Sequence, residues 1–310
     1  MIMAKCYYTK KDIRMNDLYN SVKLAVIGGD IRMIYCAAYL SELGFEVSFC
    51  GFDSTKTPCG GAVRCRNAID ALKGASAVIL PVPYSTDGCR VNAPFSASEI
   101  RVAELLTHVM PTQLLLGGVL SDGFINRAEE LSLTVTDYMK DEELTVKNAV
   151  TTAEGTLELA LRELPVTLRS KPVLVLGYGR VGRAVASLFK AVGCGVTVCA
   201  RRADALAWAY AAGCGTVFMS DLCRAASGKA LIINTVPDLI LDKNVLSFAD
   251  EKTLIIDLAS YPGGVDFDAA ARLGIRTLHA LSLPGKTAPV TAGEDIAETV
   301  VSVLKKRGVI

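Results

Sequence analysis

Gly177-Tyr178-Gly179-Arg180-Val181-Gly182 is the segment whose residue types and spacing point most directly to chemistry. It follows the apolar run Val173–Leu176 and opens a helical pattern that continues to about Val192. In a strand-turn-helix setting Gly177 permits the turn, Gly179 lets backbone approach a pyrophosphate, and Gly182 allows close helix-strand contact. The helix N-terminus adds amide donors and a partial positive charge. A lone Gly-x-Gly-x-x-Gly also serves ordinary tight turns. Here the next apolar run, Gly195 to Ala200, arrives at the spacing a mononucleotide-binding unit needs, so all six residues are read as dinucleotide contacts.

The end of that second strand selects the cofactor. An NAD site places Asp or Glu there to accept from the ribose 2′-hydroxyl. This chain reads Cys199-Ala200-Arg201-Arg202, and two guanidinium groups suit the 2′-phosphate of NADP instead. The alternatives are a solvated Arg pair and a ribose contact from Asp204.

Ligands in open α/β sheets sit beyond the carboxyl ends of the strands. Those ends hold Asn234-Thr235-Val236-Pro237, Asp257-Leu258-Ala259-Ser260 and the loop around Lys286. Asn234, Thr235, Pro237, Asp257, Ala259 and Ser260 are therefore expected to line the cofactor. Lys286 is the candidate cation for an anionic substrate, or an ordinary surface lysine. Proton transfer is assigned to Lys286, Asp257 or His279, although Asp257 also suits a loop cap and His279 a satisfied rim histidine. The other histidine, His108, precedes Pro111 and reads as structural or exposed.

A second glycine turn, Gly28-Gly29-Asp30-Ile31-Arg32, lacks the third glycine, and its acid would repel a phosphate at a helix N-terminus. It reads as a substrate-side loop with Arg32 holding a carboxylate, or as an N-cap Asp with a surface Arg. The strand end at Pro81 and Glu154 on a long helix complete the substrate-binding candidates with Gly28, Gly29, Asp30, Arg32 and Lys286.

These residues need a scaffold. At 310 residues the chain has room for about two domains. Apolar runs at Val22–Ile27, Glu46–Cys50, Ala77–Leu80, Leu114–Leu116 and Leu133–Thr136, with helical segments between them, argue for a parallel sheet. A second set lies at Val173–Leu176, Gly195–Ala200, Ala230–Asn234, Thr253–Asp257 and Arg276–Leu278. The expected fold is α/β, two Rossmann-like domains with a cleft between them. A substrate-side domain spans 1–140, an interdomain helix 141–165, a cofactor domain 166–290, and a C-terminal helix 291–310 packs back toward the first domain. The segment before Val22 is polar and reads as loose.

With 33 basic and 32 acidic residues the formal net charge is +1, which gives no reason to expect nucleic acid. Mean hydropathy is +0.36, yet no run approaches the roughly 18 uncharged residues of a spanning helix, so the apolar excess points to buried strands or a homo-oligomer interface. The 10 cysteines form no Cys-x-x-Cys pair and only two histidines are present, so no metal site is expected. No secretory signal is visible, which suggests a reducing cytoplasm.

Gly28-Gly29-Asp30-x-Arg32, Thr151-Thr152-Ala153-Glu154-Gly155-Thr156, Asp257-Leu258-Ala259-Ser260-x-Pro262-Gly263-Gly264 and Leu283-Pro284-Gly285-Lys286-x-Ala288-Pro289-x-Thr291-Ala292-Gly293 together resemble the dipicolinate synthase A-subunit family. The likeness covers nearly the whole chain from about Val22. It implies a sporulation oxidoreductase acting on a CH–CH type bond. The substrate would be 4-hydroxy-tetrahydrodipicolinate from the lysine pathway, with NADP as oxidant. It also implies that the partner is a flavoprotein-like B subunit in the mother-cell cytoplasm. Arg32 and Lys286 would then hold the two carboxylates. The alternatives are a non-catalytic nucleotide-binding subunit that presents substrate to its partner, and an NADP dehydrogenase of another small acid. More distantly the layout is similar to D-2-hydroxyacid dehydrogenases, but without their His and carboxylate pair.

Overall fold

The computed structural model describes Tyr19 and residues 22–57 and 59–310. The expected loose start lies, apart from Tyr19, outside the described residues. The chain forms two compact units, residues 1–144 with 289–310, and residues 145–288.

In the first unit the order is β1 (Lys23–Ile27), α1 (Ile31–Glu42), β2 (Glu46–Cys50), β3 (Val63–Arg64), α2 (Ala68–Leu72), β4 (Ala77–Ile79), α3 (Val102–His108), β5 (Leu114–Gly117), α4 (Asp122–Glu130) and β6 (Thr134–Asp137). All pairings are parallel, in the order β3-β2-β1-β4-β5-β6. The central strands are apolar runs because helices cover both faces. Leu24 and Val26 face one cluster with Ile34 and Leu40, while Ala25 and Ile27 face another with Leu80 and Leu105.

The second unit holds most of α5 (Glu142–Glu163), then β7 (Pro172–Leu176), α6 (Arg180–Ala191), β8 (Gly195–Ala200), α7 (Ala203–Ala211), β9 (Gly215–Phe218), α8 (Leu222–Ala226), β10 (Leu231–Asn234), α9 (Lys243–Leu246), β11 (Leu254–Asp257), α10 (Phe267–Arg272), β12 (Arg276–His279) and α11 (Leu283–Thr287). Its sheet order is β12-β11-β10-β7-β8-β9, again all parallel. Numbered within its own unit, each sheet runs 3-2-1-4-5-6, the Rossmann order. The expected α/β class of two Rossmann-like domains is therefore the observed one.

The boundaries differ from those read in the sequence. From Thr145 the long helix belongs to the second unit, because Ala153, Ala160 and the following Leu164 share a core with Val173, Val175 and Phe189. The terminal helix α12 (Pro289–Lys306) starts two residues before the expected 291, at a proline whose ring suits the first turn. It joins the first unit: Ile296, Ala297 and Val300 enter the core of Ile34 and Ala37, and a Cβ on Gly293 would strike the Arg32 carbonyl and the Cys36 amide. Among the described residues no helix is long and apolar enough to cross a membrane, and no group of three or more His, Cys, Asp or Glu could hold a metal ion.

Candidate functional site

In the second unit β7 and β10 are neighbours, and the strand order reverses between them. This switch point is where an open α/β sheet opens a crevice. Gly177 follows β7 at φ +88°, and its amide donates to the Cys199 carbonyl at 2.9 Å. A Cβ there would lie 2.5 Å from Thr235 Oγ1. A Cβ on Gly182 would collide with the Gly177 carbonyl, so this glycine lets α6 seat against the turn. Gly179 differs from both. It is the N-cap of α6, and a Cβ on it would meet nothing within 4 Å. The protein's own packing therefore does not require glycine at this position.

No side chain caps α6 and no acid lies in its first turn. A helix start left this way offers amide donors and a partial positive charge to an anion. The cradle fits a dinucleotide pyrophosphate. Val181 is half-buried and Arg180 is exposed. The Tyr178 ring has the Arg183 guanidinium 5.5 Å from its centroid, and burial raises its hydroxyl pKa above the ordinary value.

Two residues expected at this site bond each other and the neighbouring backbone. Asn234 is fully buried: its Nδ2 donates to the Val236 carbonyl (2.9 Å) and to Asp257 Oδ1 (2.8 Å), and its Oδ1 accepts from the Val236 amide (3.0 Å). Asp257, equally buried, also accepts from the amides of Ala259 (3.0 Å) and Gly264 (2.8 Å). Asp257 thus takes the loop-cap position that its place in the sequence also allowed, and the polar atoms of both side chains are engaged by the protein. The pair braces the loops after β10 and β11, with three donors of the protein on the buried Asp257 carboxylate. Ala259 is buried, whereas Ser260 and Pro237 are exposed on those loops. Thr235 Oγ1 donates to the Leu176 carbonyl at 2.7 Å, which pins it under the glycine turn. His279 gives Nε2 to the Ala259 carbonyl at 2.9 Å and stands 5.4 Å from the Phe267 ring, the satisfied rim position.

At the carboxyl end of β8, Arg201 and Arg202 are both exposed. Arg202 chelates Asp204, with Nε 2.9 Å from Oδ1, and that guanidinium holds the Asp204 carboxyl down at about 2. Arg201 makes only a long contact with Asp238, at 3.7 Å between two exposed groups.

Lys286 is exposed on α11 and makes no ion pair among the described residues. Its neighbour Thr287 was not singled out from sequence. Its hydroxyl is buried and has no hydrogen-bond partner among the described residues. Gly155 on α5 makes room for it, since a Cβ there would lie 2.5 Å from Thr287 Oγ1 and 3.1 Å from Leu283 Cβ. The one signal in the sequence was a hydroxyl beside the candidate lysine. Glu154, adjacent to Gly155, is exposed.

The first unit has its own switch point between β1 and β4, and here the chain fills it. A Cβ on Gly28 would stand 3.0 Å from both Ala93 and Val91, and one on Gly29 3.0 Å from Pro81. Asp30 caps α1 by accepting from the Arg32 amide at 3.1 Å. Arg32 is buried, not the free carboxylate clamp or the surface residue expected. Its Nε lies 2.9 and 3.1 Å from the two Asp30 oxygens, and its Nη2 donates to Asp30 at 2.7 Å and to the Val82 carbonyl at 2.8 Å. The guanidinium is neutralised where it lies.

Comparison with known proteins follows these two halves. Residues 23–139 match the family of the N-terminal domain of the dipicolinate synthase A-subunit, and residues 167–253 match the NADPH-binding domain of acetohydroxy acid isomeroreductase. The second unit is thus an NAD(P)-binding Rossmann domain. The dipicolinate synthase A-subunit of Bacillus subtilis (strain 168) is 33% identical over 288 residues, covering 93% of this chain and 97% of the relative. The crystal structure of its counterpart from Bacillus halodurans superimposes with a TM-score of 0.83 at 31% identity, covering 92% of this chain and 98% of the other. The crystal structure of the Bacillus subtilis protein gives 0.81 at 33%, covering 92% and 96%. A relative this similar over nearly its full length makes the chain a member of the dipicolinate synthase A-subunit family.

Proposed function

We propose that this chain is an NADP-dependent oxidoreductase that forms dipicolinate from 4-hydroxy-tetrahydrodipicolinate, partnered by a flavoprotein-like B subunit in the mother-cell cytoplasm during sporulation. The overall change removes one water, from C4, and then one hydride and one proton from the ring, which becomes aromatic. Bound NADP supplies the hydride acceptor. The turn from Gly177 to Gly182 and the start of α6 hold its pyrophosphate, and Arg201 and Arg202 meet its 2′-phosphate. Lys286 pairs with a substrate carboxylate, and the Thr287 hydroxyl donates to the same group. The Asn234–Asp257 brace keeps the loops after β10 and β11 in place and touches neither ligand. Arg32 is left out of the substrate contacts because its guanidinium is buried as well as paired with Asp30, whereas Arg202, also paired, is exposed.

The observation that carries this reading is Gly179, a glycine with open space at its Cβ position, on a helix start without a side-chain cap. A second reading, a nucleotide-binding subunit that presents substrate to its partner, draws on a different observation. Asp257 is wholly engaged by neighbouring donors, and one ring nitrogen of His279 is taken by a carbonyl. One experiment separates the two. The purified chain, with and without the B subunit, is mixed with freshly generated 4-hydroxy-tetrahydrodipicolinate and NADP. Growth of absorbance at 340 nm with the chain alone supports catalysis here. Growth only with the partner supports presentation, and no growth in either mixture overturns both.

A further inference from the structure

Cys50 ends β2 and Cys65 follows β3 directly. The parallel register pairs Ser48 with Val63 and Phe49 with Arg64, and the Cys65 amide donates to the Phe49 carbonyl at 2.8 Å. The next position in register therefore sets Cys65 beside Cys50. Both side chains face the same layer: Cys50 is buried in the cluster that holds Ile27 and Leu80, and Cys65 packs on that cluster while keeping part of its surface. Paired strand positions stand about 4.7–4.9 Å apart, inside the roughly 4.4–6.8 Å that a disulfide spans between Cα atoms. Burial, then the nearby Cys65 and Asp53, push the Cys50 thiol up to about 12.

We propose that Cys50 and Cys65 form a reversible thiol–disulfide site, oxidised by exchange with a low-molecular-weight disulfide. Cys65 reacts first because it is the more exposed thiol. Its thiolate attacks one sulfur of the small disulfide, a mixed disulfide forms, and the first small thiolate leaves and takes up a proton. Cys50 then attacks the Cys65 sulfur, and its proton passes to the second small thiolate as that group leaves. Two protein thiols and one small disulfide become one protein disulfide and two small thiols, so the chain loses two electrons and the reagent gains them. The bond ties edge strand β3, which pairs on one side only, to β2. It does so next to Gly51, whose Cβ position lies 3.1 Å from the Gly28 Cα of the first glycine turn.

The test treats the full chain with oxidised glutathione, blocks free thiols by alkylation, and maps peptides by mass spectrometry. The expected result is one cross-linked peptide pair containing Cys50 and Cys65, lighter by two hydrogens than the two reduced peptides together and reversed by a thiol reductant. Cys50→Ser is expected to stop at one glutathione adduct on Cys65, and Cys65→Ser to leave Cys50 unmodified. The proposal is overturned if both residues alkylate fully after treatment, if the wild-type chain stops at the Cys65 adduct, or if the cross-link joins other cysteines.

Discussion

Replacing Arg32 by alanine tests whether this residue is a brace or a substrate ligand. The substitution removes the guanidinium that bonds both Asp30 oxygens and the Val82 carbonyl, and it leaves a carboxylate with one backbone donor at the start of α1. Breaking a fully buried ion pair by deleting one partner costs about 3–5 kcal/mol. The Arg32 side chain is 6% exposed, but Asp30 is 26% exposed and water can partly re-solvate it, so about 2–3 kcal/mol is expected here. At about 2–4 °C per kcal/mol for a unit of this size, the first unit should melt roughly 4–12 °C lower. Thermal denaturation followed by near-ultraviolet circular dichroism measures this, and NADP titration of the same protein should show unchanged affinity, because the cofactor turn lies in the other unit. Arg32→Lys keeps the charge but loses the chelate, and should recover less than half the loss. Wild-type melting together with a raised substrate KM would refute the brace and restore Arg32 as a carboxylate ligand.

Four further outcomes are expected. Gly179→Ala should melt like the wild-type chain but bind NADP at least about tenfold more weakly, whereas Gly182→Ala, driven against the Gly177 carbonyl, should unfold at markedly lower temperature; titration and melting curves on both variants check the contrast. Replacing Arg201 and Arg202 together by serine should weaken NADP about tenfold and leave NAD unchanged, allowing for the screening of two exposed charges. Asp204 stays ionised down to about 2, so above that pH it adds nothing to the titration of the 2′-phosphate. Its second pKa is near 6, and protonation removes one negative charge, so the preference for NADP over NAD should hold above about pH 6 and shrink below it. Thr287→Val removes an unpartnered buried hydroxyl while keeping its shape, so stability should hold or rise by up to about 1 kcal/mol; substrate KM should rise several-fold, and an unchanged KM would remove Thr287 from the site.

What the sequence made legible follows from what each position has to satisfy. The central strands were readable because burial on both faces demands unbroken apolar runs, as in Leu231–Asn234 and Leu254–Asp257. The edge strands β3 and β9 were not. Val63 and Arg64 are both exposed, and Gly215–Phe218 is largely so, so neither carries the apolar signature. The glycine turn was legible because Gly177, Gly179 and Gly182 keep a fixed spacing, and packing demands glycine at the first and third of them. The burial of Arg32 was not legible because spacing tells nothing of a side chain that folds back two residues to Asp30. Asn234 and Asp257 sit at the right strand ends, but they reach each other across neighbouring strands, a pairing that only the register Asn234–Asp257 discloses.

The two units share a strand order, yet only one keeps a helix start open to an anion. The difference lies at the N-cap of the helix after the first strand. Asp30 puts a carboxylate where a phosphate would sit, satisfies a first-turn amide and neutralises Arg32, while Gly179 puts nothing there. Removing the acid would not convert the first turn into the second. Val91, Asn92 and Ala93 pack against Gly28, while open space surrounds Gly179. An Asp30→Gly variant should therefore lose the cap and strand the Arg32 charge without gaining affinity for a nucleotide. Any such gain would mean that the chain over Gly28 opens, and that the two crevices differ by one side chain alone.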